Sequence, residues 1–322
     1  MSDPAPSLFH AGELAVQEQA QVRAQVAQFA PRAIRSWMLD QHRTFFESLP
    51  YVVIGSLTPE GMPVASLLAG APGFIRSPDL HTLIVRCRPV KGDPIAEGLR
   101  VGSPVGLLGI ELYTRRRNRA NGTLISRDDD SFVVHVQQSF GNCPQYIQAR
   151  GMEARAPASA VEATRETARL SPRALALINA ADTFFIATSS LQALPRNSAE
   201  GVDVSHRGGL PGFVETSLDG DDGRTVLTVP DYSGNNLFMT LGNLKQNPRA
   251  GLVFVNFNDG SLLSLSVTAE ILWGAVPERP GRPPADRQLR FRLVRGQWVP
   301  NALPYRFTAP NFARELWHSA ER

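Results

Sequence analysis

One stretch of the sequence recurs in the second half of the chain, and this repeat constrains the fold more than any other feature. The two copies are Pro63 to Phe74 and Val202 to Phe213, which share a serine, a glycine and a closing Pro-Gly-Phe at the same spacing. Flanking runs recur in the same order: Tyr51 to Ser56 with Thr183 to Ser189, Thr82 to Val85 with Arg224 to Val229, Pro89 with Pro230, and Ser103 to Leu108 with Asn247 to Leu252. Collinear matches of this kind indicate two copies of one supersecondary unit.

The order of patterns within each copy predicts a β-rich fold. Three β-rich runs are followed by a helix-like stretch and a further apolar run, with turn signals at short intervals, as in small antiparallel barrels. Glycine contributes 26 residues and proline 25, which suits short strands joined by turns. We therefore predict a mainly β fold with flanking helices, in which tandem β-barrels form an intramolecular pseudo-dimer.

Helical segments flank the two predicted barrels. Ala11 to Ala30 is Ala-rich and polar, and Pro157 to Ala181 is an amphipathic connector whose last helix opens at Ser171-Pro172. Leu289 to Val294 alternates and is predicted to add a strand to the second barrel. The predicted domains are an N-terminal helical segment (1–40), a first barrel (41–155), a helical connector (156–180) and a second barrel with a C-terminal extension (181–322).

Charge and cysteine content exclude several classes of function. The net charge is only +3, so the field of the whole molecule attracts nucleic acid or an acidic membrane weakly. Two cysteines, Cys87 and Cys143, exclude a disulfide framework or a Cys-rich metal site within this chain, and the six histidines show no metal-ligand spacing. The first twenty residues contain no apolar leader, and no apolar run approaches the roughly 18 residues of a membrane span. We expect a cytoplasmic protein without a nucleic-acid or membrane partner.

Small polar residues precede a predicted helix in the second copy. Pro230 to Asn236 lies between a β-rich run and the helix-like segment Leu237 to Gln246, so Asn235 and Asn236 come at the helix N-terminus. Free backbone N–H groups at a helix N-terminus bind phosphate without a dedicated lysine. The alternative is an ordinary turn that caps the helix.

A strand in the same copy opens into glycines. The run from Asp203 to Gly209 includes Ser205, His206 and Arg207. The glycines would allow a flat ligand to approach the backbone, and Arg207 could place a cation beside an anion that develops on that ligand. A surface strand with a solvated arginine is the alternative.

The first copy contributes a dense arginine cluster and a polar cluster. Arg115, Arg117, Arg119 and Asn121 follow an apolar strand and end on an Asn-Gly turn signal, which predicts a hairpin with arginines on both faces. One face could meet a phosphate held on the other half, whereas a solvated turn or a nucleic-acid patch are the alternatives.

The polar cluster lies between Gln137 and Ile147 and includes Ser139, Asn142 and Cys143, whose side chains can hydrogen-bond the edge of a heterocycle. Cys143 could instead be a nucleophile, although a structural cysteine is the better interpretation.

At these residues the chain resembles the pyridoxamine 5'-phosphate oxidase-like, FMN-binding split-barrel superfamily, and within it the two-barrel flavin-nucleotide-binding group. The resemblance implies that the barrels are split barrels and that FMN lies between them. It implicates Ser205 and Arg207 for the flavin ring, Asn235 and Asn236 for its phosphate, and Arg115 to Asn121 with Ser139 to Cys143 on the opposing barrel. Asp203, His206 and Pro230 are further candidates for binding the cofactor. The first copy has Leu67-Leu68 where the second has His206-Arg207, so we expect one flavin site.

The resemblance also implies a function. We expect an FMN-dependent oxidoreductase that transfers hydride at flavin N5, with NAD(P)H or a separate reductase as electron donor and no assigned catalytic residue. The chain has no counterpart of the Arg- and His-containing C-terminal segment of the vitamin B6 oxidases, which makes oxidation of pyridoxamine phosphate doubtful. The alternatives are a flavin-storage protein without turnover, an electron-transfer module and a basic interaction module without cofactor; a homodimer stays open.

Overall fold

The computed structural model describes residues 7–156, 162–190, 199–277 and 282–316. Within them, the α-helices are α1 (Ala11–Gln19), α2 (Arg23–Ala33), α3 (Asp40–Ser48), α4 (Ile95–Gly98), α5 (Pro172–Ala180) and α6 (Met239–Gln246). The strands of the first half are β1 (Tyr51–Leu57), β2 (Pro63–Ala69), β3 (Ile75–Arg76), β4 (Thr82–Val85), β5 (Pro104–Glu111), β6 (Arg116–Arg127), β7 (Phe132–Gly141) and β8 (Met152–Ala154). Those of the second half are β9 (Thr164–Glu166), β10 (Thr183–Ser189), β11 (Val202–Gly208), β12 (Glu215–Leu218), β13 (Thr225–Tyr232), β14 (Arg249–Val255), β15 (Leu262–Trp273), β16 (Ala285–Val299) and β17 (Tyr305–Phe307).

Two curled antiparallel sheets have the same strand order. The first runs β2-β1-β5-β6-β7-β4-β3, and the second runs β11-β10-β14-β15-β16-β13-β12 with β9 added beside β16. A separate pair, β8 with β17, joins the two halves of the chain. The predicted mainly β fold of tandem split barrels in an intramolecular pseudo-dimer is confirmed, whereas the predicted domain boundaries and the internal duplication stay predictions.

Each sheet curls around its own apolar core. Alternating side chains of neighbouring strands fill it, for example Ile54 and Leu107 in the first barrel and Ile186 and Leu252 in the second. In both halves the Pro-Gly-Phe segment forms a tight turn, and Gly73 and Gly212 both have a φ of +80°. Because L side chains rarely adopt that φ, the repeated glycine has a conformational reason.

A third apolar core joins the barrels face to face. It contains Val53 and Leu67 from the first barrel with Phe185 and Val253 from the second. The approach is close, because a Cβ on Gly106 would lie 2.8 Å from the carbonyl oxygen of Val202, and one on the equivalent Gly251 would lie 2.6 Å from the Cα of Val64. Strands β2 and β11 therefore each rest on the sheet of the other barrel.

The N-terminal helices lie across both barrels. Helix α1 packs on α6 of the second barrel, and a small apolar cluster joins Val26 and Ala30 of α2 to Phe140 and Met239. Arg35 continues the contact through paired backbone hydrogen bonds with Ser139 of β7.

Several local expectations need correction. The Asn121-Gly122 pair does not form a turn: it lies inside β6 at an irregularity of the β6–β7 pairing, and the β5–β6 turn lies at Leu112 to Arg115. The predicted helix from Ala11 to Ala30 is interrupted between α1 and α2, where Gln21 has a φ of +59°. The connector also contains β9 in addition to α5.

Other local expectations are confirmed. Ser171 caps α5, since its hydroxyl accepts a hydrogen bond from the N–H of Ala174, and the predicted last strand lies within β16. Part of the predicted connector, residues 157–161, lies outside the described residues. None of the described helices is long and apolar enough to cross a membrane.

Candidate functional site

A cleft lies where the two barrels meet at one end of the shared core. The first barrel contributes β6 and the loop that follows β7, and the second contributes β11, the end of β13 and the first turn of α6. Both halves of the sequence therefore supply side chains to one site.

The base of the cleft holds an ion pair between the barrels. The guanidinium of Arg119 on β6 lies 2.6 Å from the carboxylate of Asp203 on β11, and both side chains are buried. Arg119 also donates to the hydroxyl of Ser205 at 2.8 Å, and Thr240 of α6 donates to the same hydroxyl at 2.9 Å. Alternation along β6 and β11 points Arg119 and Ser205 toward each other because the strands face across the interface.

Arg117 faces the cleft two residues earlier on β6. Its Nε donates to the carbonyl oxygen of Cys143 at 2.7 Å, and no carboxylate of the described residues lies within ion-pair distance of it. Burial and the neighbouring Arg119 lower the pKa of Arg117 to about 9, so the guanidinium remains charged at neutral pH. The cleft thus contains a cation whose charge the protein leaves uncompensated.

On the opposite wall, one carboxylate serves two arginines. Asp231 of β13 lies 3.5 Å from Arg207 of β11 and 3.0 Å from Arg287 of β16. Asp231, Arg207 and Arg287, together with Arg117, Arg119 and Asp203, are called the cleft network below. This network has four guanidinium groups and two carboxylates. The surplus of positive charge favours an anionic ligand, because an uncompensated charge in a protein is costly.

Buried donors without acceptors point to the same chemistry. Among the described residues, the donors Asn142 Nδ2, Arg119 Nε and Arg207 Nε are buried and make no hydrogen bond, and the buried Nε2 of His206 also has no partner. Burial, followed by the charges of Arg117 and Arg207, holds the pKa of His206 well below its ordinary value, so its ring is neutral at pH 7. Unsatisfied buried donors of this kind call for a ligand or water that accepts hydrogen bonds.

Backbone strain is concentrated around the cleft. Three of its lining residues, Tyr146, Asn236 and Phe238, have φ between +58° and +62° although none is glycine. Such conformations cost free energy and cluster at functional sites. Phe238 immediately precedes α6 and offers no side-chain cap, which leaves the first N–H groups of that helix beside the cleft.

The two glycines at the end of β11 have a different role from the one predicted. A Cβ on Gly208 would lie 2.0 Å from the carbonyl oxygen of Tyr146, and one on Gly209 would lie 2.5 Å from the ring of Phe213. Protein atoms, rather than a ligand, occupy the space beside both residues. Gly208 instead allows the loop of the first barrel to lie on the second, and the ring of Tyr146 lies 5.3 Å from that of Tyr232 at the cleft wall.

The structure brings most of the predicted residues together. Ten of the fourteen line the cleft: Arg117, Arg119, Asn142, Cys143, Ser205, His206, Arg207, Pro230, Asn235 and Asn236. Asn235 and Asn236 do not form the start of the helix, as α6 begins at Met239, but Asn235 reaches Asn142 of the other barrel at 3.4 Å. Pro230 lies inside β13 beside a break in strand register, rather than after the strand.

The other four predicted residues lie outside the cleft. Asp203 lies behind it as the partner of Arg119. Arg115 occupies the β5–β6 turn and donates to the carbonyl oxygens of Ile147 and Asn311, and Ser139 contacts His42 at 3.2 Å on the side of the N-terminal helices. Asn121 lines a separate small cavity with Glu13.

The sequence interpretation missed several residues of the site. Asp231 and Tyr232 stand beside the predicted Pro230, so strand alternation through that proline would have found them. Thr240 follows the predicted turn and could have been placed on the first turn of the helix. Arg287 lies in an alternating charged strand that looks solvent-exposed, and nothing local distinguishes it.

The equivalent position in the other half is closed. Strand pairing gives Leu67 the position in the first barrel that His206 has in the second. It also gives Leu262 and Ser264 the positions that Arg117 and Arg119 have in the first barrel. Leu67 and Leu262 are buried in the apolar core between the barrels together with Phe307. The interface between the barrels therefore has a polar cleft at one end and an apolar counterpart at the other. The described residues contain no His, Cys, Asp or Glu cluster suited to a metal ion.

The two curled sheets and the cleft between them match the predicted arrangement of two small barrels. No family model and no curated protein matches the sequence. Among solved structures, it is similar to a putative pyridoxamine 5'-phosphate oxidase from Lactobacillus delbrueckii at 17% identity, with 33% of this chain and 95% of that chain covered and a TM-score of 0.27. HupZ of Group A Streptococcus aligns at 10% identity over 32% of this chain and 93% of its own, with a TM-score of 0.27. HutZ, the heme storage protein of Vibrio cholerae, aligns at 14% identity over 46% and 99%, with a TM-score of 0.23. At these identities and TM-scores, the similarities identify neither a family for this chain nor what the cleft binds.

Proposed function

We propose that the chain is a flavoprotein that holds one FMN in the cleft between its barrels. The observation that carries this proposal is the surplus of positive charge in the cleft network, four guanidinium groups against two carboxylates. A phosphate ester near pH 7 carries a charge of roughly −1.5 to −2 and accepts hydrogen bonds through three oxygens. One such group would balance the surplus and accept hydrogen bonds from the donors nearest to it.

The residues present fit the two ends of the cofactor. Arg117, Asn142 and the first turn of α6 offer a cation, an amide donor and free N–H groups for the phosphate. Ser205, the neutral ring of His206 and the guanidinium of Arg207 form the strand wall for the ring system. FMN, when bound, supplies hydride transfer at N5, while this chain binds it, orients it and places Arg207 beside negative charge.

An oxidoreductase of unassigned substrate, with NAD(P)H or a separate reductase as donor, is the activity we propose for this site. We further propose that it works in the cytoplasm, and its association into homodimers is a separate question for measurement. Flavin storage without turnover is the second candidate, because the two titratable groups of β11 that could act as general bases are both constrained. Asp203 is ion-paired with Arg119, and His206 is enclosed beside two arginines.

Reduction under anaerobic conditions separates these two functions. For an enzyme, NADH or NADPH should bleach the flavin absorbance and air should restore it, with a rate that depends on the nucleotide concentration. For a storage protein, the flavin spectrum should stay unchanged with either nucleotide. A bleached spectrum that appears only after a reductase is added would favour the electron-transfer module.

The binding proposal is tested by Arg117→Ala with Arg116→Ala as its matched control. Arg116 is the preceding residue of β6, but it points away from the cleft, stacks on Phe45 at 4.5 Å and donates to Gln41 at 3.0 Å. Loss of a charge-assisted hydrogen bond of about 1.5–3 kcal/mol should weaken FMN binding by roughly 10- to 150-fold in Arg117→Ala. Arg116→Ala should bind FMN as the wild type does.

Quenching of FMN fluorescence, titrated with each protein, measures the affinity. Riboflavin, which lacks the phosphate, should lose much less affinity than FMN in Arg117→Ala. Equal FMN affinity in the two variants would remove Arg117 from the site. A wild-type protein that is colourless and takes up no added FMN would refute flavin binding altogether.

A further inference from the structure

The ion pairs of Asp231 are unequal, although both its partners are arginines. Arg287 donates its Nε to one carboxylate oxygen at 3.0 Å, whereas Arg207 approaches the other oxygen only to 3.5 Å. A charge-assisted hydrogen bond measures about 2.7–2.9 Å, so the contact of Arg207 is an ion pair without a tight hydrogen bond. Asp231 is therefore held from behind by Arg287 and only loosely from the cleft side.

Arg287 is fixed in place by two aromatic rings. Its guanidinium carbon lies 4.9 Å from the ring of Phe238 and 5.2 Å from that of Trp273, and its side chain is 7% exposed. Cation–π contacts on both sides stabilise a desolvated guanidinium. The Asp231–Arg287 pair is thus a neutral, rigid unit at the edge of the cleft.

Arg207 has the opposite character. Its side chain is 24% exposed, it lines the cleft, and its buried Nε has no hydrogen-bond acceptor. The charges that face it are Asp231 on β13 and the guanidinium groups of Arg117 and Arg119 on β6. Repulsion from these arginines and the loose contact with Asp231 leave Arg207 ready to accept another anion.

We propose that Arg207 exchanges one anionic partner for another: when an oxyanion enters the cleft, the guanidinium of Arg207 leaves Asp231 and binds the oxyanion. Arg287 keeps the charge of Asp231 neutralised after this exchange. Arg287 is on this basis a positioning residue that acts through Asp231. Only the identity of the natural ligand, FMN or its reaction partner, rests on the proposed function. The exchange itself concerns any phosphate or carboxylate group.

The exchange predicts the direction of the change in oxyanion affinity for two single variants and for their double variant. Removal of the competing carboxylate in Asp231→Asn should tighten binding of an oxyanion. Removal of the holding cation in Arg287→Met should weaken it, because Asp231 then depends on Arg207 alone and the exchange would leave a bare carboxylate. In the double variant no carboxylate remains to be neutralised, so Asp231→Asn should rescue Arg287→Met.

Inorganic phosphate is the probe, titrated into the flavin-free protein while its melting temperature and heat of binding are recorded. Asp231→Asn should bind phosphate roughly two- to fivefold more tightly than wild type, the size expected of a partly exposed ion pair. Arg287→Met should bind it more weakly, the double variant should resemble Asp231→Asn, and Arg287→Lys should stay near wild type. Arg207→Gln should abolish the gain caused by Asp231→Asn.

A purely structural role for the three residues gives a different pattern. Asp231→Asn and Arg287→Met would then both weaken phosphate binding, and the double variant would be no better than either. That pattern, or the absence of any phosphate binding by both wild type and Asp231→Asn, would overturn the exchange.

Parallel titrations with FMN and riboflavin identify the anion and keep the two proposals apart. If the variants have the predicted order of affinity for phosphate and for FMN but not for riboflavin, the phosphate of the cofactor is the anion that Arg207 binds. If it holds for phosphate while no variant binds FMN, the exchange stands and the flavin proposal fails. If FMN binds but Asp231→Asn leaves the affinity for phosphate unchanged, the flavin proposal stands and the exchange fails.

Discussion

At the scale of single residues, the shape of the cleft depends on the absence of a side chain at Gly208 as much as on the side chains that line it. Gly208 lacks the Cβ that would lie 2.0 Å from the carbonyl oxygen of Tyr146, so the loop carrying Tyr146 and Cys143 can rest on β11. That loop also positions the carbonyl that accepts from Arg117. One absent methyl group therefore sets the distance between the two walls of the site.

Gly208→Ala should separate the loop from the strand. Because the clash is with backbone, relief requires a shift of the loop, and we expect a loss of about 1–3 kcal/mol in the free energy of unfolding together with weaker FMN binding. Gly234→Ala is the control in the same cleft, since a Cβ there meets nothing within 4 Å. Urea unfolding of both variants measures the difference, and equal stability would contradict the role assigned to Gly208.

The sequence predicts the polar residues that line the cleft better than the residues that hold them in position. Ser205, Arg207 and Arg117 belong to strands whose alternation is readable, and all three line the cleft. Arg287 could not be found this way, because its significance comes from Phe238 and Trp273, which are distant in sequence. Contacts between elements are not encoded in local pattern.

At the scale of elements, helix α1 closes the back of the site. Its Glu13 is buried, accepts from the N–H of His10 at 2.9 Å and lies near Asp203, the partner of Arg119. Burial raises the pKa of Glu13 well above its ordinary value, and Asp203 contributes in the same direction while Arg119 opposes it. The helix is thus attached through a carboxyl group that favours its neutral form.

Glu13→Gln should make α1 less sensitive to pH. A raised pKa in the folded state means that the wild type binds a proton more tightly when folded, so its stability falls as the pH rises above the unfolded value of about 4.5. The stability of Glu13→Gln relative to wild type should therefore increase as the pH rises above about 4.5. Burial also lowers the pKa of the neighbouring His10, but that group is present in both proteins.

Glu18→Gln, on the exposed side of the same helix, is the control. Its stability relative to wild type should change little with pH, as measured by thermal unfolding across the same range. A parallel pH trend in the Glu13 and Glu18 variants would show that burial of Glu13 is not the cause.

The repeat predicted that a helix interrupts the succession of strands along each half of the chain, whereas the ends of the elements were less predictable. The Asn121-Gly122 pair has the composition of a turn, but its backbone continues β6 because pairing with β5 and β7 on both sides outweighs the local preference. Strand β9 was missed for a related reason: three residues carry almost no pattern, and their pairing with β16 is decided by the tertiary structure.

At the scale of the whole molecule, two barrels of equal topology have unequal faces. The position equivalent to His206 is Leu67, and the positions equivalent to Arg117 and Arg119 are Leu262 and Ser264. One end of the shared interface is consequently charged and open, while the other is apolar and filled.

The molecule should bind one FMN per chain. Absorbance of the flavin against protein concentration, after loading and removal of free cofactor, should give a ratio near one, and Arg117→Ala should bring it toward zero. Leu67→Ala is the control at the closed end: a cavity there should cost about 2–5 kcal/mol of stability without changing the ratio. A ratio of two would show that the apolar end opens to a second cofactor.

The paired backbone of β8 and β17 and the core between the sheets put both walls of the cleft on a single polypeptide. Where two identical subunits build such sites between them, dilution dissociates both sites and every substitution is present in both. Here dilution cannot separate the two walls, and each substitution is present in one site. Ligand affinity should accordingly be the same at nanomolar and micromolar protein, and each wall can be re-engineered without altering the other.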